Sequence, residues 1–254
     1  MKRILTIIFA ILLIQLLVVK KVFSDEGEVK DCFETLNRAT FALNMGLDKI
    51  FFKPVSKGYR KLPSPIRTGT SNALNNLSNL VTVPNNILQG DFSSAANNTI
   101  RFIINSTLGI VGIFDPANTL GFKKGEKEDF GQSLGVMGVG EGCYLVLPVL
   151  GPSTVRDTVG SLISINGGDA WYNITVEKDT NYVKESDYYV SKGLSGVDFR
   201  AKNLEAFDSM EKNSIDLYAT VRSLYLQDRK KKINNSSSST EAMEDGDWDT
   251  LENQ

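Results

Sequence analysis

Two serines stand at spacings that occur in hydrolases. Residues 131–135 read Gly-Gln-Ser-Leu-Gly, the G-x-S-x-G pattern of a nucleophilic serine on a sharp turn. Ser209 and Lys212 have the S-x-x-K spacing of acylases that use a lysine base. The chain contains no histidine, so Ser133 has no imidazole to take its proton, and the S-D-N and K-T-G companions of Ser209 are absent. The sequence therefore predicts that the protein is not an enzyme.

Cofactor and metal chemistry has equally little support. Gly138, Gly140 and Gly142 do not form a G-x-G-x-x-G fingerprint after a strand, and the sequence has no G-x-x-x-x-G-K-[ST] loop for nucleotide phosphates. Most zinc sites need imidazole, which this sequence lacks. We therefore expect no catalytic residue, no cofactor and no metal.

The net charge of −2 is the sum of three different zones. Residues 1–24 carry four bases and no acid, whereas residues 233–254 carry six acids and no base. The body between them, residues 25–232, sums to zero and so has no basic excess that would bind nucleic acid. Its length suits one domain with a core.

The first zone has the pattern of a secretory signal peptide. Two bases precede 16 uncharged residues, 4–19, and cleavage before Asp25 would leave a small residue at the cut. The alternative is an uncleaved anchor, which Lys20 and Lys21 keep open, although 16 residues span only about 24 Å of a hydrocarbon core of about 30 Å. In either case the body is exported. The last zone, residues 233–254, begins Ser-rich, ends acidic, and is predicted to be disordered.

The periodicity of the body predicts a mainly helical domain with at most a minor strand element, 144–149. In the second helix, Leu74, Leu77 and Leu80 are spaced for one face and asparagines fill the other, so we expect an uncharged polar face that ends at Pro84. In the third, Ile100, Ile103 and Ile104 are expected to be buried. The segments predicted as helical are residues 33–51, 72–84, 93–105, a helix entered at Pro152, and 214–231.

Two segments do not fit an ordinary soluble core. Residues 102–114 and 134–150 are apolar, glycine-rich and nearly free of charge, and both are too short for a regular spanning helix. They are either buried core or short segments seated in lipid, which are tolerated where they pack on other protein or line a wet cavity.

Many ordered motifs across residues 31–232 together resemble the MlaA (VacJ) family, outer-membrane components that maintain bacterial lipid asymmetry. The match begins at 31–41, Asp-Cys-Phe-Glu-Thr-Leu-Asn-Arg-Ala-Thr-Phe, against a family pattern D-P-x-E-x-x-N-R-x-x-[FY]. It is densest from Asp129 to Asp157. The other matched positions include Lys53-Pro54-Val55, Pro63-x-Pro65-x-Arg67, Leu88-Gln89-Gly90, Arg101-Phe102-x-x-Asn105, Phe114-Asp115, Gly151-Pro152-Ser153 and Asp216-x-Tyr218.

The resemblance implies a single helical ring, residues 25–232, seated in the inner leaflet of the bacterial outer membrane on its periplasmic side. Such a protein takes mislocalised phospholipid from the outer leaflet and passes it to a soluble periplasmic carrier, and family members associate with trimeric porins. The glycine-rich stretch would lie near the channel, which makes Gly138, Gly140, Gly142 and Tyr144 the candidate lipid path. The rival interpretation is a soluble periplasmic binding or scaffold protein without lipid transfer.

The chain departs from the family in its cysteines. The family is usually lipidated on a cysteine directly after the leader, but the first one here, Cys32, follows Val-Lys-Asp and is not a lipidation site. Cys32 and Cys143 both stand where the family usually has proline, which favours a disulfide closing a loop of about 112 residues. Two unpaired thiols remain the simpler alternative, because sequence alone cannot place the Cα atoms within bonding range.

Four charges lie inside the matched motifs. They are Arg38, Arg101, Arg156 and Asp157. Each could contact a lipid phosphate, but a structural ion pair or helix cap is the more ordinary role for such a group.

Overall fold

A computed structural model describes residues 29–177 and 183–234; the leader predicted at 1–24 and residues 235–254 of the predicted tail lie outside this part of the chain, whereas Ile233 is helical. The helices are α1 Glu34–Leu47, α2 Lys53–Arg60, α3 Ser64–Leu88, α4 Phe92–Thr107, α5 Pro116–Thr119, α6 Phe130–Val136, α7 Val155–Ile163, α8 Ala170–Tyr172, α9 Glu185–Lys202, α10 Leu204–Asn213 and α11 Leu217–Ile233. Wide π-helical turns occupy Asp48–Phe52, Ser164–Gly168 and Asn173–Glu177. The strands are β1 Tyr144–Leu147 and β2 Gly151–Thr154.

The two strands form an antiparallel hairpin in which Tyr144 pairs with Thr154 and Leu147 with Gly151. This confirms the prediction of a mainly helical domain with a minor strand element. Helix starts follow ordinary capping chemistry, because a side-chain oxygen at the N-cap accepts an N–H of the first turn. Such caps are Asp91, Asp129, Thr154 and Asp216, which begin α4, α6, α7 and α11.

Two proline-based predictions were wrong. Helix α3 does not end at Pro84 but continues to Leu88. A proline inside a helix leaves the carbonyl four residues earlier, here that of Leu80, without its N–H donor. The next residue, Asn85, donates from its side chain to the carbonyl of Val81 at 2.8 Å, within the same turn. Pro152 does not open a helix either, since it lies in β2 and α7 begins only at Val155.

The elements pack in a closed circuit. Helix α1 contacts β1, β2 contacts α7, α7 packs on α6, and α6 on α3. Helix α3 then contacts α9, α9 packs on α2, and α2 returns to α1 through the first π-helical turn. Helix α4 lies against α3 outside this circuit, while α11 packs on α6 and β2. The helices therefore follow one another around a loop rather than around one central stack.

Burial is inverted relative to a soluble globular protein. In the part of the chain that the structure describes, nine hydrophobic residues are buried against 22 polar or charged ones, and 34 large hydrophobic side chains are exposed. The prediction for α4 was wrong in this sense, because Ile100 and Ile103 face outward while Asn98, Arg101 and Asn105 are buried. Large exposed apolar surfaces mark sites that contact protein or membrane.

Within residues 29–177 and 183–234, no helix combines the length and apolarity needed to cross a membrane.

Candidate functional site

Helix α3 separates two pockets that lie on its opposite sides. The first, which we call the polar pocket, lies between α3, α4 and the loop that precedes α6, and encloses about 440 Å³ of empty space including its open mouth. Amide and hydroxyl groups of α3 and α4 make up most of its wall. Its lining residues are Asn72, Asn75, Asn76, Ser78, Asn79, Thr82, Asn98, Arg101, Asn105, Asp115 and residues 124–127.

The charges at the back of the polar pocket neutralise one another. Arg101, which is almost wholly buried, donates from Nη2 to Asp115 Oδ2 at 2.8 Å and from Nη1 to the carbonyl of Phe122. Asn105 donates to the other carboxylate oxygen of Asp115 at 2.8 Å and accepts the N–H of Ala117 at 3.1 Å. The Arg101–Asp115 pair therefore fixes the turn after α4 and leaves no net charge at that wall.

The amides of α3 have hydrogen-bonding capacity left over. Asn76 donates to Ser106 Oγ at 2.8 Å, but its Oδ1 is buried without a hydrogen-bond partner among the described residues. The side chains of Asn75 and Asn79, one turn apart, make no hydrogen bond within that same part of the chain. A free amide can both donate and accept. This wall, Asn72, Asn75, Asn76 and Asn79, we call the amide face; it is the uncharged polar face that the sequence predicted.

The second pocket, on the other side of α3, is amphipathic. Leu74, Leu77 and Val81 of α3 and Trp171 of α8 line about 350 Å³ of empty space, a volume that includes the open mouth of the pocket. The polar rim consists of Ser78, Asp169, Ser191, Lys192 and Ser195.

A single ion pair fixes the rim of the amphipathic pocket. Asp169 is only 1% exposed; it caps α8 by accepting the N–H of Trp171 at 2.9 Å, and it also accepts from Lys192 Nζ at 3.1 Å. Lys192 is half-exposed, and its ammonium lies 5.1 Å from the ring centre of Tyr188. One of its three donors thus goes to Asp169 while the head remains accessible.

The glycine-rich stretch that the sequence predicted as a lipid path lies apart from the linings of both pockets. It connects α6 to β1, and Gly138 and Gly142 have left-handed φ angles of 87° and 70°. Arg156, buried at the start of α7, donates to the carbonyl of Val139 at 3.5 Å and lies 3.9 Å from Glu141. The structure thus brings the predicted glycines together with Arg156, and their place in a lipid path stays a prediction.

Tyr144, the fourth residue of the predicted lipid path, is fully buried in an aromatic cluster. Its ring packs edge-on against Tyr218 and Tyr225, and burial together with the nearby Asp31 carboxylate raises its pKa to about 12. Asn37 connects α1 to this strand by donating to the Tyr144 carbonyl at 2.9 Å. Tyr144 therefore packs the hairpin against α11, and its place in a lipid path stays a prediction.

The structure brings Cys32 and Cys143 together as a disulfide with Cα atoms 5.6 Å apart. The bond joins the segment before α1 to the residue that precedes β1. It therefore holds one end of the glycine-rich stretch against the start of the circuit.

A charged group, which we call the ion-pair cluster, joins α6, α7 and α11; Arg229 and Asp157 are buried in it, and Asp129 lies at its half-exposed edge. Arg229 donates to Asp129 at 2.6 and 2.9 Å and to Asp157 Oδ1 at 2.8 Å, while Tyr225 donates to Asp157 Oδ2 at 2.6 Å. Burial opposes ionisation of Asp157, but Arg229 and Arg156 outweigh it, so its pKa lies below the ordinary value. Burial likewise opposes the charge of Arg229, but the two carboxylates hold its pKa above the ordinary value.

Glycines allow the helices of the ion-pair cluster to approach closely. A Cβ on Gly160 of α7 would come within 2.3 Å of the Gly131 backbone nitrogen on α6. Sequence reasoning missed Arg229, which is not among the charges that it singled out. The sequence did contain one signal at this site: Asp129 followed three residues later by Gln132 forms a capping box, which marks the start of α6 and places the Asp129 carboxylate there.

Each charge that the sequence singled out is in an ion pair. Arg101 and Arg156 pair with Asp115 and Asp157 as described, and Arg38 donates to Glu34 and to Asp216, each at 2.8 Å, in an exposed position. Each of these charges is thus in the structural ion pair that the sequence analysis gave as the alternative to a contact with lipid phosphate.

The serines of both hydrolase-like motifs make hydrogen bonds to asparagine side chains of the protein. Ser133 is buried and donates to Asn85 Oδ1 at 2.6 Å, so its hydroxyl ties α6 to α3. Ser209 Oγ accepts from Asn213 at 3.0 Å. In residues 29–177 and 183–234, no group of three or more histidine, cysteine or acidic side chains could hold a metal ion.

Comparison with known proteins gives a consistent result. The family model for the MlaA lipoprotein matches residues 29–232. An uncharacterized protein of Rickettsia bellii is 34% identical over 208 residues, covering 81% of this chain and 78% of the relative. The Escherichia coli K12 protein named intermembrane phospholipid transport system lipoprotein MlaA is 32% identical over 211 residues, covering 80% and 78%, and its Haemophilus influenzae counterpart is 30% identical over 211 residues, covering 82% and 81%.

A solved structure described as the structural basis for maintenance of bacterial outer membrane lipid asymmetry is also similar. It superimposes with a TM-score of 0.67 and 30% identity, covering 81% of this chain and all of that one. On the extent of the family match and the identity of these relatives, the chain belongs to the MlaA lipoprotein family.

Proposed function

We propose that this protein is the outer-membrane component of an intermembrane phospholipid transport system. The observation that carries the proposal is the inverted burial, with apolar side chains outside and amides, hydroxyls and paired charges inside. The relatives named for phospholipid transport, and the similar structure described by outer-membrane lipid asymmetry, support it. A protein with such a surface is stable where hydrocarbon surrounds it and polar groups remain enclosed.

The transfer requires no bond to break. A phospholipid has an apolar and a polar part, and the two sides of α3 offer a matching pair of environments. The amide face supplies uncharged donors and acceptors for a headgroup. Leu74, Leu77 and Trp171 supply an apolar wall for an acyl chain.

Lys192 is the residue that we propose for phosphate contact. It is a half-exposed ammonium at the rim of an amphipathic pocket, and only one of its contacts, with Asp169, is an ion pair. The remaining donors can reach a phosphodiester at the mouth while the acyl chain lies along α3. Asp169, buried and bound to two backbone N–H groups, keeps the lysine at the rim.

In the cell, we propose that the ring is held at the periplasmic face of the outer membrane by its apolar surface, since Cys32 is in the disulfide. It would remove phospholipid mislocalised to the outer leaflet and deliver it to a soluble periplasmic carrier, with direction imposed by that partner. Association with a trimeric porin would place it beside the outer leaflet. Gly138, Gly140 and Gly142, next to Arg156, remain candidates for the polar side of the path.

Lipid analysis of purified protein tests this proposal. We expect membranes washed with carbonate to retain the full chain, and mass spectrometry of the detergent-purified protein to find bound phospholipid. Lys192→Gln should reduce the bound lipid several-fold, whereas Lys49→Gln, a half-exposed ion-paired lysine outside both pockets, should leave it unchanged. Release by carbonate together with the absence of lipid would instead support a soluble periplasmic scaffold.

A further inference from the structure

One oxygen atom in the wall of the polar pocket is buried and has no partner. Asn76 is only 4% exposed, and its Oδ1 accepts no hydrogen bond from any described residue. Among the buried side-chain nitrogen and oxygen atoms of this lining that the structure describes, it is the one left unpaired. Proteins pair nearly all of their buried polar atoms, so an exception needs a reason. This exception is an acceptor, and what it lacks is a donor.

The neighbours of Asn76 cover its amide nitrogen and leave its oxygen. Nδ2 donates to Ser106 Oγ of α4 at 2.8 Å. Gly112, in the turn after α4, packs on the same end of the side chain, since a Cβ there would come within 2.6 Å of Asn76 Cβ and 2.8 Å of Nδ2. These two contacts hold the amide in one orientation. Its carbonyl oxygen, which has lone pairs for a hydrogen bond, is the group that remains for a ligand.

The surroundings of this oxygen favour selection by hydrogen bonding over selection by charge. Arg101 and Asp115 neutralise each other at 2.8 Å, and Asn105 has both of its amide atoms engaged. Asn75 and Asn79 add further amides that bond no described residue. The remaining charges of the lining, in residues 124–127, are exposed. A neutral wall has little preference for the net charge of a lipid, so the decisive property is whether the lipid offers an N–H or O–H.

Phospholipid headgroups differ in the donors that they offer. The ammonium of ethanolamine has N–H donors and the glycerol headgroup has hydroxyls, whereas the trimethylated nitrogen of choline has no donor. A site built to hydrogen-bond a group rejects an analogue that lacks it, because the buried partner is then left unpaired. A choline group in this pocket would keep Asn76 Oδ1 buried and without a donor, while ethanolamine or glycerol would satisfy it.

We propose that Asn76 is the specificity-determining residue of the amide face, and that it selects phospholipids whose headgroups end in an N–H or O–H donor over phosphatidylcholine. Ser78 lines both pockets, so a headgroup on the amide face and an acyl chain beside Leu74 and Leu77 would use adjoining surfaces of α3. The inference deepens the proposed function and rests on it.

Competition between headgroups tests the preference. The detergent-purified full chain is incubated with vesicles that contain equal parts of phosphatidylethanolamine, phosphatidylglycerol, phosphatidylcholine and N,N-dimethyl-phosphatidylethanolamine, all with the same acyl chains, and bound lipid is measured by mass spectrometry. We expect the first two to be enriched about tenfold over phosphatidylcholine. The dimethyl lipid is close to phosphatidylcholine in size but retains one N–H, so it should also be enriched. Equal binding of all four lipids would overturn the inference, and so would rejection of the dimethyl lipid together with phosphatidylcholine.

Variants of Asn76 connect the preference to the unpaired oxygen. Asn76→Leu removes the acceptor and should bind the four lipids about equally. Asn76→Asp keeps acceptor oxygens and adds a negative charge, so it should favour phosphatidylethanolamine over the anionic phosphatidylglycerol several-fold. The control is Asn97→Leu, because Asn97 of the facing helix α4 lies outside both pockets, and it should keep the wild-type preference.

The outcomes separate this inference from the proposed function. If the wild-type chain binds no phospholipid from any vesicle, the proposed function fails. If it binds phospholipid and Asn76→Leu keeps the wild-type preference, only this inference fails. Should Asn76→Leu not fold, Asn76→Asp decides alone, because an unchanged ratio of phosphatidylethanolamine to phosphatidylglycerol in that variant would exclude contact between the headgroup and residue 76.

Discussion

The ion-pair cluster and the amide face are both polar and at least partly enclosed, yet they differ in charge and in how many of their side chains bond to protein. In the cluster, all four carboxylate oxygens of Asp129 and Asp157 have donors. On the amide face, Asn75 and Asn79 make no side-chain hydrogen bond to described residues, and Asn76 has a buried free acceptor. The cluster is not fully saturated, because Nε of Arg229 is buried without a hydrogen-bond partner among the described residues, but its opposite charges hold one another in place. Uncharged amides that bond no protein group can serve a polar ligand that comes and goes. The ion-pair cluster is therefore expected to govern stability and the amide face to govern lipid transfer.

Removing the centre of the ion-pair cluster should have the largest effect. Arg229→Met leaves the carboxylates of Asp129 and Asp157 close together without their cation, and losing one member of a buried pair typically costs about 3–5 kcal/mol. We expect the variant to melt well below the wild type or to fail to accumulate, as circular dichroism and expression level would report.

Lys49→Met is the control for Arg229→Met, since its ion pair with Glu211 is half-exposed and such pairs contribute about 0–1 kcal/mol. If the two variants melt at the same temperature, the ion-pair cluster is not what holds α6, α7 and α11 together.

The close approach of α6 and α7 gives the second prediction. Gly160→Ala would place a methyl group 2.3 Å from the Gly131 nitrogen, so the helices must separate, and overpacking of this kind typically costs about 1–3 kcal/mol. Gly58→Ala in α2 meets no atom within 4 Å and should stabilise by up to about 1 kcal/mol through helix propensity. Thermal melts of the two variants should therefore shift in opposite directions; a shared upward shift would mean that the α6–α7 contact is loose.

Sequence patterns predicted local features of these regions better than their long-range contacts. The asparagine face of α3 could be seen because it depends on helical spacing alone. The continuation of α3 through Pro84 could not, because proline usually marks a helix end and only the folded chain shows α3 packed on α4, α6 and α9. Arg229 contacts Asp129 across 100 residues of sequence, and its own surroundings suggested only a helix-terminal cation.

Sequence alone could not predict the amphipathic pocket, and it could name the cysteine pair but not decide whether the two thiols bond. The pocket forms where Trp171 and Lys192, from segments to which the sequence assigned no element, meet the leucines of α3. The pairing of Cys32 with Cys143 depends on a Cα separation of 5.6 Å that only the folded chain defines. The sequence predicted that the isoleucines of α4 are buried, whereas Ile100 and Ile103 are exposed. The prediction failed because apolar periodicity is usually interpreted on the assumption that the polar face of a helix meets water.

Acid should weaken the ion-pair cluster before it affects the amide face. Because the pKa of Asp157 is lowered in the folded protein, its stabilising effect is complete above the ordinary value of 3.8 and is lost as pH falls through the lower folded value. We expect the melting temperature of the wild type to fall steeply below that pH and that of Asp157→Asn to fall less, from a lower starting point. Glu205→Gln, which removes an exposed carboxylate paired with Arg60, should keep the wild-type acid profile. Parallel profiles for all three proteins would remove Asp157 as the acid-sensitive group.

The smallest effect on stability, and the sharpest test of the comparison, is expected on the amide face. Asn75→Leu and Asn79→Leu remove side chains that bond no other described residue. Because changes at such positions usually alter the free energy of unfolding by no more than about 0.5 kcal/mol, the melting temperature should shift less than it does with Gly58→Ala. Transfer of fluorescent phospholipid between vesicles should nevertheless slow several-fold, because a headgroup passing along α3 would lose amide partners.

Asn97→Leu is the matched control for the amide-face variants, because Asn97 is an exposed asparagine of α4 that donates to the Lys123 carbonyl and lies outside both pockets. It should leave transfer unchanged. The opposite result would be slower transfer with Arg229→Met, measured at a temperature where that variant is folded, and unchanged transfer with Asn75→Leu and Asn79→Leu. The roles of the two regions would then be reversed. The polar route would pass by the ion-pair cluster and the glycine-rich stretch that Arg156 contacts, rather than along α3.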